Sequence, residues 1–570
     1  MRIFTRLVLI AISFLVYSCT SKQTIDYSSI STDDGFIAMG KIVFQQNCSP
    51  CHNINQDGIG PRLGGITKQV ATEWLKGFIK NPGEVITSGD ERASALLEKY
   101  KVAMPVFGHL SDENIDQVLA YLHTQNLSLE ESQIDTAALK DPIPEKIEMS
   151  DLVISMELVT SIPASAEKAP KARITKMANI PGSNRMFIVD LRGKLYELVN
   201  DKSRVYFDMA QEMPDFIPQP GLATGFGSFA FHPEFLQNGL MYTTHTEPPG
   251  TQLADFSYAD SIPVTLQWVL QEWKTEAPND PNFKGTNREM LRVNMVTGIH
   301  GVQEVIFNPY AKSGEEDYGL LYIGIGDGGA VEQGYPWTAN NIQNIWGTII
   351  RIDPKGNNSK NGKYGIPPLN PFINDTDPKT LREIYCYGFR NPHRITWSSD
   401  GKILASNIGQ HNIEALNMIE PGEFYGWPVR EGTFVMDAYG SMNNVFPLPK
   451  EDSIYNITYP VAQYDHDEGN AICGGFEYTG SLIPDLKGKY IFGDIMIGRL
   501  FYVEMSDLVI GQQAAIMEWQ ASYQQGILNF KDFFGNDRID LRIGQDSDGE
   551  LYLYTKADGN VYRLTETLSF

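Results

Sequence analysis

The sequence predicts a multidomain chain: a small all-α domain followed by a large all-β domain of the propeller type. Three observations carry this. Apolar residues fall at helical spacing in two stretches near the front, residues 36–44 and 115–122. From residue 150 onward, roughly 420 residues alternate short strand-like runs with Gly, Asn and Asp turns, which means a sandwich array or a radial propeller. Within that region a polar turn ending in Gly recurs before an aliphatic–Tyr strand, and a second Gly turn then leads to a closing strand. Such recurrence favours the propeller. Ser547-Asp548-Gly549-Glu550-Leu551-Tyr552 followed by Asp558-Gly559-Asn560-Val561-Tyr562 shows the pattern, and Gly193-Lys194-Leu195-Tyr196 repeats its closing part.

Composition agrees. A chain of 570 residues exceeds one domain, and 42% hydrophobic residues suffice for large cores. The 51 Gly, 32 Pro, 27 Tyr and 28 Phe fit many turns joining short strands. A net charge of −24 argues against nucleic acid as a partner, because phosphate binding needs a basic face.

Residues 1–18 read as an export signal: Arg2 and Arg6 are followed by an apolar run too short to span a bilayer. The run ends Val16-Tyr17-Ser18-Cys19, which resembles a bacterial lipoprotein processing site. Cys19 is then the lipidated residue and 19–34 a polar tether, although ordinary signal cleavage stays open because Tyr17 is bulky for that site. In either case the expected location is periplasmic or cell-surface.

Cys48-Ser49-Pro50-Cys51-His52 is the C-x-x-C-H signature of c-type haem attachment. Both thiols add to the haem vinyl groups, and His52 is placed under the iron. A zinc site would need a second ligand pair, and no other Cys lies between Cys51 and Cys386. Met104, in Lys101-Val102-Ala103-Met104-Pro105, is the expected sixth ligand, with His109 and His123 as rivals. Met/His ligation raises the haem potential and closes the iron, which suits electron transfer. Residues 35–126 resemble a class I cytochrome c domain over its whole length. Gly60-Pro61-Arg62-Leu63 matches that family's loop beside the proximal His, and the resemblance implies that the Pro61 carbonyl receives the ring N–H. Residues 127–149, rich in Glu, Asp, Lys and Pro, read as a linker to the domain at 150–570.

The large domain carries Phe229-Ala230-Phe231-His232-Pro233, Ile323-Gly324-Ile325-Gly326-Asp327-Gly328-Gly329, Gly347-Thr348-Ile349-Ile350-Arg351, Tyr387-Gly388-Phe389-Arg390-Asn391-Pro392 and Phe424-Tyr425-Gly426-Trp427-Pro428. In this order they resemble the soluble glucose and aldose-sugar dehydrogenases that use pyrroloquinoline quinone (PQQ), the glucose/sorbosone dehydrogenase family. The resemblance implies a six-bladed propeller with the quinone and a calcium ion near its axis. By the same resemblance His300 is the general base, Asp327 its orienting carboxylate, and Arg390 and Asn391 hold the quinone. The chemistry is apt: a His backed by a carboxylate removes a hydroxyl proton, and a guanidinium suits quinone oxygens. Taken alone, however, His300 is a turn histidine and Asp327 a tight-turn aspartate.

Calcium is implied at the carbonyls of Gly409 and Gln410. There the sequence departs from the family: Ile408-Gly409-Gln410 replaces Gln-Gly-Pro, and the acidic cluster is thinned to Glu414. His393 likewise stands where Gln is usual. His232 reads as a blade-packing residue and Trp427 as a core ring. Cys386 and Cys473 could pair or remain free. Residues 473–478 and 488–494 look like the hedgehog-interacting-protein branch of the same family, which implies partner binding without catalysis.

Two functions therefore stand. One is an exported quinohaemoprotein dehydrogenase that oxidises an aldose sugar or related alcohol and passes electrons to its own haem c, then to a downstream cytochrome or oxidase. The other is a propeller binding a protein or glycan, its haem serving electron transfer elsewhere. The fused haem favours the first, since tethering raises its effective concentration as acceptor.

Overall fold

The computed structural model describes residues 30–568 apart from 49–51, 53, 55–59, 101–103, 105, 108–109, 126–137, 220, 222, 441, 451 and 537. The export segment, Cys19, Cys51 and His109 lie outside the described residues.

The front domain is helical, and its first and last helices, Asp34–Asn47 and Asp112–Thr124, pack on each other. Each starts at a polar cap that satisfies otherwise orphaned N–H groups. The Asp33 carboxylate accepts the Phe36 N–H at 2.8 Å, and Ser111 and Asn114 form a reciprocal capping box. Val43 and Phe44 meet Ile115, Val118, Leu119 and Leu122 in one apolar core. Close approach depends on Gly40, where a Cβ would lie 1.8 Å from the Gln117 carbonyl oxygen. Three shorter helices, Thr72–Lys80, Pro82–Thr87 and Glu91–Tyr100, complete the described part of this domain, with a 3-10 turn at Ile66–Lys68.

The remainder is a propeller of six blades. The first four blades are four-stranded and antiparallel, beginning at Ile174–Asn179, Ser228–Phe231, Val302–Phe307 and Pro392–Trp397. The fifth starts at Phe476–Glu477 and the sixth at Leu541–Gln545. The six opening strands contact one another in a closed cycle, so they surround the axis. Closure comes from the 14-residue strand Glu148–Ser161, which pairs antiparallel with Asn560–Thr567 of blade six and parallel with Met517–Tyr523 of blade five. The runs expected as strands are strands: Met186–Asp190, Leu240–Glu247, Leu321–Ile325 and Leu551–Thr555. Ahead of the closing strand, residues 139–146 lie along the propeller, where the Leu139 N–H donates to the Val445 carbonyl at 2.9 Å and Lys146 pairs with Asp467 at 3.1 Å.

A small three-stranded sheet, Arg430–Glu431, Phe434–Met436 and Val445–Phe446, is inserted between the third and fourth strands of blade four. His232 is a packing residue as expected: its Nδ1 accepts the Glu234 N–H at 3.0 Å, and its ring meets Phe307 edge-on at 5.4 Å. Burial pushes its pKa down to about 4. Cys386 and Cys473 are both buried and unbridged, and the Cys473 thiol donates to the Gly474 carbonyl at 3.1 Å.

Gly40→Val should destabilise the helical domain by about 1–3 kcal/mol through overpacking at the helix crossing. The expected result is a lower midpoint for the helical domain's unfolding transition by calorimetry, with the propeller's transition unchanged.

Candidate functional site

In the helical domain, His52 Nδ1 lies 2.7 Å from the Pro61 carbonyl oxygen, the contact that orients a ligating imidazole. Gly60 permits this, since a Cβ there would meet the His52 ring at 2.4 Å. Cys48 caps the first helix, and its carbonyl accepts the His52 N–H at 2.9 Å. Met104 lines the same cavity as His52, among apolar side chains that include Leu75, Phe78, Leu96 and Leu119. An apolar slot with an imidazole and a thioether in its walls fits a haem c. His123 Nδ1 is instead 2.9 Å from the Thr67 hydroxyl, away from that cavity.

In the propeller, His300 and Asp327 come together. His300 precedes the innermost strand of blade three and adopts a left-handed φ of 51°. It is buried, so the turn position read from sequence is an interior turn. Its Nδ1 is 2.8 Å from Asp327 Oδ1. Since an ionised carboxylate only accepts, Nδ1 carries the proton and Nε2 is the basic nitrogen. Asp327 is held in turn by the Gly329 N–H at 2.8 Å and the Trp427 indole N–H at 3.1 Å. Trp427 is thus more than the core ring expected: from a position 100 residues along the chain it fixes the carboxylate. Burial lowers the His300 pKa, as does Arg390; Asp327 opposes both without reversing them.

Arg390 is buried with its guanidinium held at Gln410 Oε1, 2.8 Å, and at Glu332 Oε1, 2.6 Å, above the Trp427 ring. Asn391 is also buried, and its side-chain oxygen has no hydrogen-bond partner. The same is true of Arg542 Nε and of both ring nitrogens of His393. Arg394, Arg542 and Lys556 line the same cavity wall with side chains of the cationic type, and Arg542 Nε is a donor left unmet. Burial lowers the Lys556 pKa well below the usual lysine range, and Arg542 beside it adds to the effect. Such a wall fits a polyanionic ligand such as the tricarboxylate PQQ. Arg394, Arg542 and Lys556 escaped sequence reasoning because each is an ordinary strand or turn cation until the blades bring them together.

The 409–413 loop is organised by Glu431, which also went unnoticed. One carboxylate oxygen of Glu431 accepts the N–H groups of Gln410, His411, Asn412 and Ile413 at 2.7, 2.9, 2.9 and 3.0 Å. Glu414 accepts the Ile472 N–H at 2.9 Å and pairs with His466 at 3.1 Å. With the N–H groups so engaged, the carbonyls of Gly409 and Gln410 accept no hydrogen bond from the described residues. Carbonyl donors of this kind suit a calcium ion. Among the described residues no group of three or more His, Cys, Asp or Glu side chains could hold a metal.

The two sites share one cavity. Its walls include Cys48, His52 and Met104 from the helical domain and His300, Arg390 and Gln410 from the propeller. Fold and site together define a class: a cytochrome c domain set over the axial cavity of a dehydrogenase-type propeller. The Glucose / Sorbosone dehydrogenase family model matches residues 172–563, and the Cytochrome c model matches residues 37–126. The chain belongs to the glucose/sorbosone dehydrogenase family, with a cytochrome c domain fused ahead of it. Quinoprotein glucose dehydrogenase B of Acinetobacter calcoaceticus is 23% identical over 398 residues, covering 62% of this chain and 77% of the relative. The HIPL1 protein of Arabidopsis thaliana is 25% identical over 361 residues, covering 56% and 48%. Hedgehog-interacting protein of Mus musculus is 22% identical over 396 residues, covering 68% and 50%. The matches thus span about half the length of the last two relatives. A solved glucose dehydrogenase shares the fold, with a TM-score of 0.51 at 17% identity over 72% of this chain and 99% of that one.

The His300 environment makes a measurable claim. Its imidazole should titrate below 6.5 by histidine NMR, and Arg390→Met should move the midpoint upward by removing the nearby positive charge. A midpoint at or above 6.5 in the wild type would contradict the electrostatics described.

Proposed function

We propose that the protein is an exported quinohaemoprotein dehydrogenase that oxidises an aldose sugar or related alcohol with PQQ and delivers the electrons to its own haem c. The observation that carries this reading is the cavity shared by the His52–Met104 pocket and the His300–Arg390 site. A propeller serving only to bind a partner has no use for that juxtaposition.

When bound, PQQ supplies a hydride acceptor and haem c a one-electron acceptor. The chain's residues do the rest. His300 Nε2 takes the substrate hydroxyl proton, and its lowered pKa keeps it unprotonated and ready at neutral pH. Asp327, braced by Trp427 and Gly329, holds Nδ1–H and stabilises the imidazolium that forms. Arg390, fixed by Glu332 and Gln410, presents positive charge to the cofactor's oxygens, and the unpaired side-chain oxygen of Asn391 is free to accept from an N–H or O–H of a bound molecule. The Gly409 and Gln410 carbonyls would hold calcium. Cys48 and Cys51 would carry the haem and His52 and Met104 its iron. Beyond the haem, the electrons go to a separate acceptor such as a cytochrome or oxidase. Cys19 would anchor the exported chain to the membrane through lipid; no helix among the described residues is long and apolar enough to cross one.

Two experiments test this. Met104→Ala should leave the haem covalently attached while lowering its potential and opening the iron to added ligands; an unchanged spectrum and potential would move the sixth ligand elsewhere. In protein reconstituted with PQQ and calcium, His300→Gln should retain both cofactors yet slow substrate-driven haem reduction by about 10²–10⁴-fold. Arg390→Ala should instead weaken quinone binding as well as the chemistry. Wild-type protein that binds no quinone at micromolar concentration with calcium present would return the propeller to the role of a binding module.

A further inference from the structure

His393 opens the innermost strand of blade four, one residue after Pro392, and lines the shared cavity. It is 5% exposed, and neither ring nitrogen has a hydrogen-bond partner. A buried imidazole with two unmet nitrogens is costly unless a ligand completes it, so the wall is built around something that arrives.

Its surroundings identify the sign of that ligand. On the same strand, Arg394 is held by the Thr175 carbonyl and lies 3.5 Å from Glu304. From blade six come Arg542 and, just beyond the second strand, Lys556. The carboxylates nearby are already committed: Glu304 to Lys176, and Asp540 to Arg538 at 3.1 Å. The Ser406 carbonyl comes near the ring without closing a hydrogen bond. Arg390, Arg538 and His300 border the same cavity. Around His393 the field is therefore cationic, which keeps its imidazole neutral: burial holds the pKa well below the usual value, and Arg394, Arg542 and Lys556 push the same way.

We propose that His393 is an anion-receiving group of the quinone site, neutral without cofactor and protonated when a cofactor carboxylate settles beside it, so that PQQ binding takes up a proton from solvent. The inference rests on the quinone reading above and adds a linkage to it. A carboxylate entering the ring of cations reverses the field at the imidazole, and a protonated ring can then donate the hydrogen bonds that the neutral one leaves unmade. Glutamine in this position could accept or donate, but it could not carry the proton.

The sign follows from linkage. His393 binds a proton more readily in the complex than in the free protein, so affinity is greatest at low pH. It falls by about tenfold per pH unit between the free and bound midpoints.

The test is calorimetric titration of the full, haem-bearing chain with PQQ, with calcium present, in two buffers of different ionisation enthalpy and at several pH values. Wild-type protein should take up about one proton near neutral pH and show the falling affinity. His393→Gln should bind PQQ with little proton uptake and a flat pH dependence, its haem spectrum and thermal unfolding confirming that it is folded. A wild type that binds without proton uptake overturns the inference without calling on any variant. Uptake that persists in His393→Gln also overturns it, moving the linkage to Lys556 or His300. Wild-type protein that binds no PQQ at all overturns the quinone reading itself, and this inference with it.

Discussion

The pairing of the strand Glu148–Ser161 with Asn560–Thr567 is the constraint on which the site depends. Without that first strand, Asn560–Thr567 at the rim of blade six and Met517–Tyr523 at the rim of blade five would each expose an unpaired edge. Here that strand joins two blades at once, so the fifth and sixth form one continuous sheet. The six inner strands can then face a common axis, where His300, Arg390, His393, Arg542 and Lys556 converge from three different blades or the loops beside them. Backbone hydrogen bonds far from the cavity thus hold in place side chains that would otherwise repel one another.

That repulsion is the second organising fact. The chain carries a net charge of −24, yet its axial cavity is walled by cations. Some of these have a protein partner, as Arg390 has Glu332 and Gln410; others keep an unmet nitrogen, as Arg542 does at Nε. The difference sorts rigid groups from responsive ones. Arg390 is locked in position whatever enters, whereas His393 leaves its nitrogens free to change state.

Much of this was legible in the residues themselves. The C-x-x-C-H run, the capped helix from Ser111 and the aliphatic–Tyr strands are local patterns, and local patterns survive translation into structure. The His300–Asp327 pair came only through family resemblance, because nothing in Thr297-Gly298-Ile299-His300-Gly301 distinguishes an interior turn from a surface one. Trp427, Glu332 and Glu431 were not assigned to the site at all. Each acts across a long loop of chain, Trp427 on Asp327, Glu332 on Arg390 and Glu431 on the 409–413 backbone. Periodicity reports which face of an element is buried, not which distant blade it will meet.

The closing strand also orders events along the chain. Glu157 meets its partner Arg563 across 406 residues, whereas the helical domain is built from contacts within its own stretch of sequence. Contacts between distant residues must wait for the whole chain and form slowly, while local ones form early. The helical domain can therefore fold while the propeller is still open, and ring closure waits for the strand Asn560–Thr567. Assembly thus runs from the helical domain toward the pairing that completes the cavity.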